Sequence, residues 1–242
     1  MGDVNMATMK RGYVLHHRAY RESSVIVNLL VDGVGRVDAI VRTGSGKRSI
    51  KSILQPFQPL IIQFSAQSEV KNLSLKTITH IEAAAPAIPL SGNSLFSGFY
   101  LNELSVRLLT VEHQTESLFL AYHRSVLSLA QAFCSSHLRF YEKALLSELG
   151  ALPSLQYDVD GNAIAGETFY RLEAECGFIP VLQHAVGVFS HGKSVVPGAM
   201  LIALHLENLP EEHLNSAKGL MRFLLRPLLG TKPLLSRQLF IK

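Results

Sequence analysis

Residues 24–42 read SVIVNLLVDGVGRVDAIVR, and their alternation decides the fold of the first third of the chain. Val25, Val27 and Leu29 share one parity, Val37, Ala39 and Val41 form a second such run, and period two puts each set on one face of a strand. Between them Asp32-Gly33-Val34-Gly35 is a hairpin signal. The pattern extends in both directions. Tyr13 and Leu15 predict a strand upstream; Leu60, Ile62 and Phe64, then Leu73 and Leu75, predict two downstream. Gly44-Ser45-Gly46 predicts a flexible loop between the third and fourth strands. About five short strands in so little chain suit a small closed barrel.

The period changes after Ala83-Ala84-Ala85-Pro86-Ala87-Ile88-Pro89, a linker of small residues and prolines. Leu95, Phe99, Leu101, Leu104 and Leu108 then recur at helical spacing. So do Leu118, Tyr122, Val126 and Leu129, and again Leu138, Tyr141, Leu145 and Leu149, with Gly150 placed to end the third helix. Residues 151–192 are irregular, and a short β excursion fits there. Pro197 marks a helix start, and a last long helix is expected from about Glu211 to Leu229, where Pro227 and Gly230 disrupt its end. The reading is α+β with two domains, a barrel over 1–82 and a mainly helical domain over 83–242.

Composition limits the function. Hydrophobic residues make up 48% of the 242 and charged residues 17%, enough apolar surface for a sizeable core. There is no apolar run long enough for a membrane span and no secretory h-region at the start, so a cytoplasmic protein is expected. Cys134 and Cys176, far apart, encode no disulfide framework. The net charge of +4 is unevenly spread. Residues 1–80 carry 11 Lys and Arg against 5 Asp and Glu, residues 81–213 carry 6 against 14, and residues 214–242 carry 6 against none. Two basic ends around an acidic middle suggest a polyanionic partner.

Catalytic patterns are missing. The ten histidines are scattered, His16 and His17 point to opposite faces of a strand, and no HExxH occurs, so no metal site is expected. The run from Thr43 to Ser49 approaches a phosphate loop, but Val41 stands where its first glycine belongs and Arg48 where its hydroxyl belongs. Cys176 lies beside Glu173 and Glu175, which oppose a thiolate. The expectation is a protein that is not an enzyme and takes no cofactor.

What remains is basic. Arg42, Lys47, Arg48 and Lys51 crowd a glycine-bearing loop that can follow a phosphate backbone, with Arg36 extending the track. Tyr13, Tyr20, Phe57 and Phe64 are few as stacking aromatics, and Phe57 and Phe64 read as core, which favours backbone contact over base reading. Lys218, Arg222 and Arg226 recur every four residues on one helix face, opposite Leu220, Met221, Leu224, Leu225 and Leu228. That pattern reads first as a plain solvated face and is also a candidate for DNA binding.

Several segments, in order, resemble the bacterial RecO family of recombination mediators: Gly35-Arg36-Val37, the run from Arg42 to Ser49, and Leu54-Gln55-Pro56-Phe57-Gln58-Pro59-Leu60. They continue with Pro89-Leu90-Ser91-Gly92, then Ser97-Gly98-Phe99-Tyr100-Leu101-Asn102-Glu103-Leu104, and end with Gly230-Thr231-Lys232-Pro233-Leu234 and Ser236-Arg237-Gln238-Leu239-Phe240. The resemblance implies an N-terminal OB fold and a helical second part. It implies binding of single- and double-stranded DNA, annealing of complementary strands, and help in loading recombinase on strands coated with single-stranded DNA-binding protein in the bacterial nucleoid. RecR and the acidic C-terminal tail of that coating protein are the implied partners, and Arg139 with Lys143, beside Phe140, Tyr141, Leu145 and Leu146, is the expected clamp for the tail. Many relatives carry a four-cysteine zinc module in the second half. Cys176 alone lies between residues 151 and 242 here, so residues 151–192 are expected to be a metal-free remnant. The other reading is a protein-bridging adaptor with incidental DNA contact, which charge reversal at Lys47 and Arg48 would leave functional.

Overall fold

The alternation in residues 24–42 becomes two paired strands. A computed structural model describes residues 8–44, 49–67, 74–111, 116–173, 175–181 and 195–240. Strands β1 (Lys10–Tyr20), β2 (Ser24–Val31), β3 (Gly35–Arg42), β4 (Leu60–Phe64) and β5 (Lys76–Ala83) close into a barrel in the order β1-β2-β3-β5-β4. β3 and β5 run parallel and the other neighbours antiparallel, which is the OB connectivity. Val25 pairs with Val41, Val27 with Ala39 and Leu29 with Val37, and these side chains meet Val14, Leu60, Ile62, Phe64 and Ile78 in the interior. Each fully buried aliphatic stabilises the barrel by about 1.5–3 kcal/mol.

One strand gains a bulge and another moves. The register of β1 slips between Val14 and His16, so Leu15 is an extra residue there. Ahead of it Val14 enters the barrel core, and Tyr13 packs on Phe119 and Tyr122. The fifth strand is Lys76–Ala83, beyond the Leu73–Leu75 alternation: Leu75 precedes it, Leu73 lies outside the described residues, and Ile78 is its inward anchor.

By packing, the chain divides into Met1–Phe133 with Pro233–Lys242, and Cys134–Lys232. Regular structure changes from strand to helix across the linker, but helices α1 (Gly92–Leu108) and α2 (Glu116–Gln131) belong with the barrel in the first unit. Asn102 of α1 explains part of that attachment. Its amide nitrogen donates to Leu15 O at the bulge (3.0 Å), and its oxygen accepts from the Tyr122 hydroxyl (2.7 Å). A bulge leaves ladder groups unpaired, and a buried carbonyl without a partner is costly. Gly98 lets α1 approach the barrel: a Cβ there would stand 2.6 Å from the Phe57 ring.

The second unit contains α3 (Ser136–Glu148), a sheet ordered β7-β6-β8 from β6 (Phe169–Glu173), β7 (Gly177–Val181) and β8 (Val195–Pro197), then α4 (Gly198–His205) and α5 (Leu214–Leu229). The β excursion expected after residue 151 is this sheet. Gly150, at φ 65°, ends α3: its amide donates to Ser147 O and that of Ala151 to Leu146 O. Pro227 lies inside α5 and does not end it; Gly230, again at φ 65°, does. Among the described residues no helix is long and apolar enough to cross a membrane.

Candidate nucleic-acid interface

The outward residues of β1, β2 and β3 form rows. Tyr20 stands opposite Ser24, and Ser24 opposite Arg42; one step inward, Arg18 faces Ile26 and Ile26 faces Ile40, which neighbours Thr77 of β5. Beside these rows lies a groove of about 640 Å³ lined by Tyr20, Arg21, Arg42, Ile50, Thr77 and His80, with Ser24 and Thr79 adding hydroxyls. Among the described residues no carboxylate lines it. Two guanidiniums, three hydroxyl side chains and an aromatic ring make a surface suited to a phosphate chain with attached bases.

The predicted loop begins at this groove. Ile50 N donates to Thr43 O at 3.0 Å, closing the base of the loop, and Ile50 lines the groove. Arg42 is exposed at its edge and Lys51 is exposed beyond it; Lys47 and Arg48 lie outside the described residues. Arg18 and Arg21 escape sequence reasoning, because no cluster or motif marks them and only the strand register reveals their face.

Arg36 is not available as a phosphate contact. Its Nη2 donates to both carboxylate oxygens of Asp38 (3.0 and 2.9 Å) and its Nη1 to Leu109 O (3.0 Å), and only 17% of its side chain is exposed. Asn28 donates to the same carboxylate at 2.6 Å. Arg36 therefore ties β3 to the end of α1. Tyr13 is likewise withdrawn as a stacking ring: it is 2% exposed, hydrogen bonded to His123 Nδ1, and burial pushes its hydroxyl up to about 12. Burial, with a smaller contribution from Arg11, lowers the pKa of His123. Phe57 and Phe64 are core as expected, which leaves Tyr20 as the accessible ring of that set.

In the second unit Lys218, Arg222 and Arg226 are exposed on α5, while Leu220, Met221 and Leu225 are buried on its other side; Leu224 is half-buried and Leu228 exposed. The expected clamp is not presented. Arg139 is 6% exposed, with Nη1 2.9 Å from Oε2 of the fully buried Glu142. Lys143 Nζ meets Glu207 at 2.7 Å and His205 O at 3.2 Å. The same helix periodicity that turns Tyr141, Leu145 and Leu146 inward turns Arg139 and Glu142 inward with them.

A four-cysteine zinc site cannot be built from the two cysteines of this chain. Cys176 is exposed, and among the described residues no group of three His, Cys, Asp or Glu is placed to hold a metal.

The family model described as "Recombination protein O N terminal" matches residues 6–86, and the one described as "Recombination protein O C terminal" matches residues 90–238. The protein of Alteromonas mediterranea named "DNA repair protein RecO" is 38% identical over 232 residues, covering 95% of this chain and 95% of its own. Proteins of the same name from Pseudoalteromonas atlantica and Stutzerimonas stutzeri are each 38% identical, covering 97% and 95% of this chain and 94% and 92% of theirs.

Proposed function

The chain belongs to the recombination protein O family, and on that premise we propose that it is a non-enzymatic mediator of DNA repair by recombination. It binds single- and double-stranded DNA, anneals complementary strands, and helps recombinase load on strands coated with single-stranded DNA-binding protein. The observation that carries the DNA-binding part is the groove on the barrel, which holds Arg21 and Arg42 and, among the described residues, no carboxylate. Neither arginine has an ion-pair partner among the described residues, so both charges are available to phosphates. Lys47, Arg48 and Lys51 extend the contact from the adjoining loop. Binding is driven by counterion release and carries little sequence preference.

RecR and the tail of the coating protein are the proposed protein partners. With Arg139 and Lys143 engaged within their own unit, the exposed face of α5 at Lys218, Arg222 and Arg226 is the better candidate for the acidic tail, or for further DNA. An adaptor role has one observation of its own: a cleft of about 500 Å³ in the second unit, lined mainly by apolar residues such as Leu152, Tyr157, Phe223 and Leu224, suits protein contact. The experiment is annealing of complementary strands coated with single-stranded DNA-binding protein, comparing the natural chain with Lys47→Glu/Arg48→Glu. A mediator loses annealing and its cellular repair role on charge reversal; an adaptor keeps the repair role.

A further inference from the structure

The groove holds more than phosphates require. Besides Arg21, Arg42 and its hydroxyl side chains, its wall carries aliphatic ones, with Ile40, Ile50 and Ile81 among the lining residues. Phosphate oxygens are strongly hydrated and gain nothing from an apolar wall, whereas an unpaired base has two apolar π-faces. Among the described residues the lining offers the Tyr20 ring and the smaller imidazole of His80. Tyr20 ends β1 on the row that passes through Ser24 to Arg42. By the usual strand spacing of about 4.8 Å, two strands separate the backbone positions of Tyr20 and Arg42 by roughly 10 Å, the scale of a nucleotide's base and a neighbouring phosphate.

Arg21 completes the arrangement. It takes φ 56°, a left-handed conformation uncommon for a side chain of its size, and its guanidinium lies over the Tyr20 ring, 5.2 Å from the centroid. The chain reversal after β1 thus stacks a planar cation on a planar ring at the edge of an apolar-walled groove. A base can continue that stack, because guanidinium and aromatic planes both stack on nucleobases. In a duplex the base faces are already covered by neighbouring pairs, and only phosphates and groove edges are offered.

We propose that Tyr20 and Arg21 form a base-stacking subsite that makes the barrel groove select unpaired strands. The inference rests on the reading of the groove as a DNA-binding face. A duplex meeting this face gains only its phosphate contacts, and selection between the two forms comes from the stacked base.

The test uses the full chain and three labelled probes at one salt concentration: a short oligothymidylate, the same backbone with abasic sites, and a duplex. The natural chain should bind the oligothymidylate about tenfold more tightly than the abasic strand. Tyr20→Ala should remove that difference, and Tyr20→Phe, which keeps the ring, should retain it. Equal affinity of the natural chain for thymidylate and abasic strands, with Arg42→Ala weakening both, overturns the stacking subsite and leaves the groove as a phosphate track. Equal weakening of all three probes by Tyr20→Ala also overturns it. If neither Arg42→Ala nor Tyr20→Ala alters any affinity, the groove reading falls and takes the subsite with it.

Discussion

Glu103 Oε2 accepts two hydrogen bonds from Ser236, one from the backbone amide at 2.8 Å and one from the hydroxyl at 2.6 Å. Its Oε1 accepts from Leu235 N at 2.9 Å, and Arg107, one helical turn on, donates to Pro233 O. One carboxylate on α1 therefore caps the final turn, Leu235–Phe240, and holds the end of the chain to the first unit. Phe96 against Phe240 and Arg237 over Tyr100 complete the attachment.

Glu103 gives a pH dependence with a definite sign. Burial raises its pKa, but the hydrogen bonds from Ser236 and Leu235 and the charge of Arg107 outweigh burial and leave it below the ordinary 4.5. A carboxylate with a depressed folded pKa adds stability that is present above the unfolded value and is lost as pH falls through the folded one. Glu103→Gln should cost about 1 kcal/mol near neutrality, allowing for its partial exposure. Urea unfolding of the two proteins should converge at acid pH; a gap that persists there would remove the carboxylate as its cause.

Asn102 should tolerate no apolar replacement. Asn102→Leu removes the hydrogen bond to the buried Leu15 carbonyl and the one from the Tyr122 hydroxyl, and should cost about 2–4 kcal/mol. A fall in urea midpoint with unchanged slope is expected. A midpoint equal to that of the natural chain would show that neither bond matters.

The barrel was legible because its sheet has one buried face, so period two survives in the sequence: Val25, Val27 and Leu29 face Val41, Ala39 and Val37 as their spacing requires. The bulge in β1 and the misplaced fifth strand fall where a strand departs from that period. At Leu15 an inserted residue breaks it, and in β5 exposed Thr77, Thr79 and His80 leave Ile78 without an apolar partner at the next inward position. The groove was half legible. Charge clustering marks Arg42 and Lys51, but Arg21 belongs to the site through a turn, and Arg36 leaves it through Asp38, which lies two residues away on the same face. Sequence spacing cannot distinguish a cation facing solvent from one matched to a neighbouring carboxylate.

Arg139 and Glu142 should behave as a buried pair. Arg139→Met removes one charge-assisted contact from the buried Glu142 carboxylate and should cost about 1.5–3 kcal/mol, whereas Arg139→Met/Glu142→Leu should recover part of that loss. The double variant, once folded, should bind the tail peptide of the single-stranded DNA-binding protein as the natural chain does. Loss of peptide binding in a folded double variant would restore the clamp at Arg139.

The exposed cations of α5 should affect binding without affecting stability. Arg222→Glu/Arg226→Glu removes no buried contact, so the urea midpoint should stay within about 0.5 kcal/mol of the natural value. Affinity for the tail peptide should fall at least about tenfold, the scale of a lost charge-assisted pair. Peptide binding that survives this reversal would place the tail elsewhere.

The central claim is that the barrel groove binds DNA through its unpaired arginines, and its most direct test is the salt dependence of single-strand affinity. For the natural chain the logarithm of the affinity should fall linearly with the logarithm of salt concentration. Arg21→Ala/Arg42→Ala removes two phosphate contacts and should flatten that slope by about 1.4, at roughly 0.7 per contact on a single strand. A slope identical in the natural chain and the double variant would contradict the account and move the DNA-binding surface off the groove.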